Sequence, residues 1–191
     1  MKITPTKIKD VLMIEPESFE DERGWFAESY NKKKLSDAGV NIDFVQDNYS
    51  FTKKKGTLRG LHVQIQPHTQ SKLIHCLQGS VLDVVVDLRK NSPTYKKWLA
   101  VELTGENKKQ LFVPKGFAHG ILSLTDNVEV CYKIDNHYNK ESERFISFND
   151  PELNIDWSID DPIQIDRDAA APLLKDCDID FKIEDCKFGN F

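Results

Sequence analysis

Apolar residues along this chain come in short runs cut by turn-forming residues. The runs fall at 11–14, 43–45, 58–64, 72–77, 81–88, 98–103, 110–113, 119–124, 128–134 and 144–148. Between them stand breakers such as Gly79, Asn91-Ser92-Pro93, Gly105-Glu106-Asn107, Pro114-Lys115-Gly116 and Asp126-Asn127. Runs of this length read as strands, and many short strands at this spacing predict a sandwich or barrel. Helix signals are few. Residues 31–38 with Gly39 behind them predict one short helix, and Asp166 is the expected cap of another starting near Arg167. No internal repeat, linker or low-complexity tract interrupts the pattern.

The run 81–88 narrows the choice. Leu82, Val84, Val86 and Leu88 alternate onto one face, while Val81, Asp83, Val85 and Asp87 share the other. Such a strand is apolar on one side and mixed on the other, which suits a barrel with a partly polar lumen. Two solvent-facing aspartates would give the same pattern. Small barrels that hold a ligand inside are jelly rolls and cupins. The expected fold is therefore all-β, a cupin (double-stranded β-helix, jelly-roll) barrel with a few short helices. At 191 residues one domain with a full core is expected, its core at about 8–175 and an extension at 176–191.

Composition adds exclusions. A net charge of −5 gives no reason to expect nucleic acid or an anionic membrane as partner. An anionic ligand would need locally clustered cations. The chain begins without an apolar leader-like run, and no stretch approaches the ~18 apolar residues of a membrane span. Cys76 and Cys131 lie in apolar runs and read as buried thiols, and Cys177 and Cys186 are close enough in sequence to pair. No spacing indicates a metal knuckle or a disulfide framework, and the cytoplasm is the expected compartment.

The densest polar constellation is Arg59-Gly60-Leu61-His62-Val63-Gln64 followed by Gln70-Ser71-Lys72. Cations and a histidine inside an apolar strand are costly unless a partner, ligand or solvent meets them. A second cluster is Pro114-Lys115-Gly116-Phe117-Ala118-His119-Gly120. A third is Tyr132-Lys133, with His137, Tyr138 and Glu143 beyond. Taken singly, each reads as well as a structural histidine, an ion-pair partner or a core aromatic. The H-x-H pair common in metal-binding cupins is missing, and no metal is expected. Neither a dinucleotide fingerprint, a P-loop nor a nucleophile elbow is present.

Eight motifs in order nevertheless carry a resemblance: D-E-R-G-W-F-A-E (21–28), Q-D-N-Y-S (46–50), L-R-G-L-H-V-Q (58–64), Q-S-K-L (70–73), V-D-L-R-K-N-S-P-T (86–94), P-K-G-F-A-H-G (114–120), Y-K-I-D-N-H-Y (132–138) and D-R-D-A-A-A-P-L-L (166–174). Together they resemble the dTDP-4-dehydrorhamnose 3,5-epimerase family over about residues 8–175. The resemblance implies a cofactor-free epimerase acting at C3 and C5 of dTDP-4-dehydro-6-deoxy-D-glucose through enolates, on the way to dTDP-L-rhamnose and surface polysaccharide. It implies His62 as base, Asp168 as its acidic partner, Lys72 beside the C4 oxygen and Tyr132 as the returning acid. It further implies that Arg23, Glu28, Gln46, Asp47, Asn48, Arg59, His119, Glu143 and Arg167 bind the sugar nucleotide, and that the protein is a homodimer exchanging N-terminal strands.

Several positions depart from the family pattern. Val63 and Ile121 stand where aromatics are usual, Arg167 where lysine is usual, the loop 53–56 is one residue longer, and 176–191 extends past the usual end. The first two bear on whether C3, C5 or both are inverted. The alternatives are a mono-epimerase or ketoisomerase on a related 4-keto sugar nucleotide, and a non-catalytic sugar-binding cupin.

Overall fold

The computed structural model describes residues 1–186. In chain order its strands are β1 (Lys2–Pro5), β2 (Leu12–Glu15), β3 (Ser18–Asp21), β4 (Gly24–Ala27), β5 (Gln46–Thr52), β6 (Leu58–Gln64), β7 (Lys72–Gln78), β8 (Ser80–Asp87), β9 (Arg89–Lys90), β10 (Trp98–Thr104), β11 (Gln110–Val113), β12 (Phe117–Ser123), β13 (Val128–Ile134), β14 (Glu143–Phe145) and β15 (Phe181–Lys182). Two α-helices, α1 (Lys32–Asp37) and α2 (Asp166–Ala169), and three short 3-10 turns complete the described elements.

Two antiparallel sheets form the barrel. One has the order β1-β2-β11-β7-β13-β5 and the other β10-β8-β12-β6-β14. Between them lies an apolar layer that includes Ile74, Val81, Val85, Leu111, Val113, Phe117 and Val130. The outer face of the five-stranded sheet, with Leu58, Val84, Val86 and Leu122, is covered by Leu153, Trp157, Leu174 and Phe181. The outer face of the six-stranded sheet is covered by Leu35 of α1 with Val40 and Ile42. Burying apolar surface on both faces of each sheet is what makes so many short strands stable together.

The alternation of β8 reads out as the lumen pattern requires. Val81 and Val85 point inward, Val84 and Val86 outward, and Asp83 and Asp87 are both fully buried. Asp87 is not a surface acid: it accepts from Arg89, Ser92 and Thr94, and Arg89 also reaches Asp10.

Two expectations need correction. No strand forms at 43–45; β5 starts just after it, with polar Gln46, Asn48, Ser50 and Thr52 inward and Tyr49 and Phe51 exposed. That inverted pattern hides a strand from any search for apolar runs. Helix α1 matches the expected span, and Asn31 caps it by accepting from the Lys34 N–H. For α2 the cap is Ile165 with no side-chain bond, so Asp166 is the first helical residue instead. Cys177 and Cys186, whose pairing the sequence left open, are free thiols, as are the buried Cys76 and Cys131.

The extension beyond 176 is part of the packing as far as residue 186. β15 pairs in parallel with β9, and Phe181 and Cys186 are each 1% exposed. The remainder of that predicted extension, 187–191, lies outside the described residues.

Candidate active site

A cavity of about 400 Å³ opens between the two sheets. His62 and Arg59 of β6, His119 and Ile121 of β12, Lys72 of β7, Tyr132 of β13 and Glu143 of β14 line it, closed by Arg167 and Asp168 of α2. A second cavity of about 340 Å³ shares His62, Lys72, Tyr132 and Glu143, and adds Gln46 and Asn48.

Local backbone geometry puts these groups side by side. Strand period two would send Arg59 and His62 to opposite faces. A register shift between β6 and β12 moves from the pair His119–His62 to the pair Ile121–Arg59, and Gly60 sits at the shift. Gly60 has φ +133°, and a Cβ there would lie 2.5 Å from Gly120 Cα. Only glycine meets both the left-handed backbone and the close approach. Both side chains therefore face the cavity.

His62 Nε2 is 3.0 Å from Asp168 Oδ1, and the backbone N–H of Gly60 donates to Asp168 Oδ2 at 3.2 Å. Burial opposes the charge of Asp168. The His62 contact, the Gly60 N–H and the Arg167 guanidinium outweigh it and hold the carboxyl below its usual range. An ionised carboxylate only accepts, so Nε2 carries the ring proton and Nδ1 keeps its lone pair. The Gly60 N–H of β6, rather than a side chain of α2, holds the second oxygen of this carboxylate. The His62 ring also meets Phe145 edge-on, with centroids 5.3 Å apart.

The other groups around the cavity, Lys72 and Tyr132 on the six-stranded sheet and His119 and Glu143 on the five-stranded one, are chemically different. Burial brings the Lys72 ammonium down to about 8, against the attraction of Asp83 and Glu143. Burial also raises the Tyr132 hydroxyl above its usual value, so the phenol stays protonated at neutral pH. His119 Nε2 lies 2.9 Å from Asp83 Oδ2, and burial lowers its imidazole below the usual range. Glu143 accepts from Tyr138 at 3.0 Å and pairs with Arg167 at 3.4 Å, while the Arg167 guanidinium lies 4.3 Å over the Phe145 ring.

Three predicted site residues stand elsewhere in the chain. Asp47 points outward from β5, as its odd position dictates, and pairs with Lys133 across the strand at 2.8 Å. Arg23 sits on the β3–β4 hairpin, paired with Asp21, and Glu28 bonds Asn31 and Lys34. Neither lines the cavity of its own chain. Conversely, sequence reading put Tyr138 in a cluster without a role and did not single out Phe145 or the rim residues Ile163 and Ile165. The one signal for the two isoleucines was their place just before Arg167. Among the described residues, no group of three or more His, Cys, Asp or Glu is arranged to hold a metal ion.

The family model for dTDP-4-dehydrorhamnose 3,5-epimerase matches residues 5–176. The chain belongs to this family. It is therefore grouped with isomerases of the racemase and epimerase class. The Shigella flexneri dTDP-4-dehydrorhamnose 3,5-epimerase is 48% identical over 179 residues, covering 93% of this chain and 98% of that protein. The Bacillus anthracis epimerase, solved with TDP and pyrophosphate bound, superposes with TM-score 0.88 at 47% identity, covering 91% of this chain and 99% of the other. The Legionella pneumophila enzyme in complex with dTDP-4-keto-L-rhamnose gives TM-score 0.88 at 45% identity, with 93% and 94% covered. Its cupin-type barrel is thus the family's barrel, and the described extension packs beyond the matched region.

Proposed function

We propose that this chain inverts C3 and C5 of dTDP-4-dehydro-6-deoxy-D-glucose to give dTDP-4-dehydro-L-rhamnose. The observation that carries the reading is the placement of base and acid on opposite sheets. His62, with its Asp168 partner, is on the five-stranded wall, and Tyr132 is on the six-stranded wall. A sugar ring between them loses a proton to one face and regains one from the other, which is what inversion requires. The C4 ketone acidifies both neighbouring C–H bonds. His62 Nδ1 takes the proton, the negative charge moves to the C4 oxygen, and Lys72 stabilises it. Tyr132, kept protonated by burial, returns a proton to the carbon from the opposite side.

Gln46, Asn48, Arg59, His119, Glu143 and Arg167 surround the space left for the rest of the sugar nucleotide. Arg59 supplies a forked donor suited to pyrophosphate. We assign Arg23 and Glu28 to the neighbouring site in a homodimer. In support, their hairpin leaves Phe19, Trp25 and Phe26 57%, 59% and 69% exposed, an apolar surface that a second copy would cover. A cytoplasmic location fits the nucleotide-linked substrate and the four free thiols. The test is NMR in D2O with dTDP-4-dehydro-6-deoxyglucose, following C3 and C5 separately. Deuterium at both carbons with L-rhamno product supports the reading; deuterium at one carbon alone indicates a mono-epimerase, and at neither, a binding protein.

A further inference from the structure

Asp83 is fully buried, accepts from His119 through one oxygen, and leaves the other oxygen with no hydrogen-bond partner among the described residues. An orphaned carboxylate oxygen in a core costs several kcal/mol unless a counter-charge faces it. Lys72 is the cation that fits. On β8, Asp83 shares the inward face with Val81 and Val85; on β7, Lys72 shares it with Ile74 and Cys76. The two side chains thus project from opposite sheets into one lumen. Lys72 has no ion-pair partner within 4.0 Å among the described residues. Glu143, the other acid that acts on Lys72, is already engaged by Tyr138 and Arg167.

We propose that Asp83, although it does not line the cavity, is a positioning residue: it fixes His119 through one oxygen and serves through the other as the buried counter-charge that keeps Lys72 an ammonium. The proposal rests on the epimerase reading, in which Lys72 stabilises charge on the C4 oxygen. A lysine brought down to about 8 by burial is only partly protected from losing its proton near neutral pH. Around this pair the titratable groups are His119 on β12, His62 on β6 and Glu143 on β14. Loss of the Lys72 proton, brought down by burial, bears on the alkaline limb of activity.

The test combines two readouts. In Asp83→Asn, which keeps the shape and an acceptor for His119, the alkaline limb of C3 and C5 exchange should move to lower pH. Activity should fall by about tenfold at pH 8.5 but by less than about threefold at pH 6.5. An equal loss at every pH, or none, would overturn the proposal. Thermal unfolding gives the second readout and needs no activity. Lys72→Met leaves Asp83 without its counter-charge and should destabilise the protein, and adding Asp83→Asn should restore melting towards wild type. Additive destabilisation in that cycle would also overturn it. If wild type shows no exchange while the melting cycle compensates, the epimerase reading fails and the ion pair stands.

Discussion

Arg59 and His62 point into the same cavity although they stand an odd three positions apart on one strand. The register shift at Gly60 is what reconciles that spacing with strand geometry. Gly60→Ala would put a Cβ at 2.5 Å from Gly120 Cα on a backbone with φ +133°. We expect it to lower stability by about 2 kcal/mol or more. Activity should fall further than stability accounts for, because His62 and Arg59 lose their common face. Chemical denaturation and turnover measured on the same preparation check this. Wild-type values for both would show that the two strands have room to spare.

Removing the His62 imidazole should separate chemistry from binding. His62→Ala is expected to reduce exchange at C3 and C5 by about 10²–10⁴-fold, the usual worth of a positioned proton acceptor. Binding of dTDP, measured by calorimetry, should change little because Arg59, Gln46 and Asn48 remain. Near-normal exchange in this variant would remove His62 from the role of base.

How much of this was legible in the sequence depends on which way each strand faces its ligand. The barrel strands β6, β7, β8 and β13 announce themselves because most of their buried positions are apolar. Strand β5 does not, since its inward Gln46, Asn48 and Ser50 meet the cavity and its outward Tyr49 and Phe51 meet solvent. The same logic explains Asp47. Membership of a motif placed it beside Gln46 and Asn48, but alternation turns it to the other face. His62 and Asp168 were paired by resemblance; no local rule links positions 106 residues apart, and only the closure of α2 over β6 joins them. Asp83 was visible only as one of two readings of β8.

Tyr132 tests the return step. Tyr132→Phe keeps the ring and loses the proton, so deuterium exchange driven by His62 should persist while epimerised product falls much more. Burial holds the phenol above its usual pKa, so wild-type product formation should show no loss from phenol ionisation below about pH 9. Equal loss of exchange and product in the variant would make the tyrosine structural.

Asp168 links the site to stability. Its carboxyl is held below its usual range in the folded chain. The stabilisation is therefore present above the unfolded carboxyl value, near pH 4, and is lost as pH falls through the lower folded value. Melting of the wild type should drop across that acidic window more steeply than melting of Asp168→Asn. In activity, Asp168→Asn combined with His62→Ala should be little worse than His62→Ala alone, since groups acting as one unit are not additive. Additive losses would mean that the two residues work separately.

Sharing of the site between two copies can be read from mixtures of dead variants. Within one chain, His62 lines the cavity and Arg23 does not, sitting on a hairpin that carries exposed Phe19, Trp25 and Phe26. If each hairpin serves its neighbour, Arg23→Ala and His62→Ala each spoil both sites of their own homodimer. A mixed dimer differs. The site holding the intact His62 receives the intact Arg23 of the other copy, and the remaining site carries both defects. Unfolding and refolding an equal mixture makes about half of the dimers mixed, and each of those has one working site. Turnover should recover to about a quarter of the wild-type value. The recovery should require co-refolding, because simple mixing of settled dimers exchanges no chains. No recovery after co-refolding, with the mixed dimer verified by a mass tag on one variant, would assign Arg23 to its own chain or to no site at all.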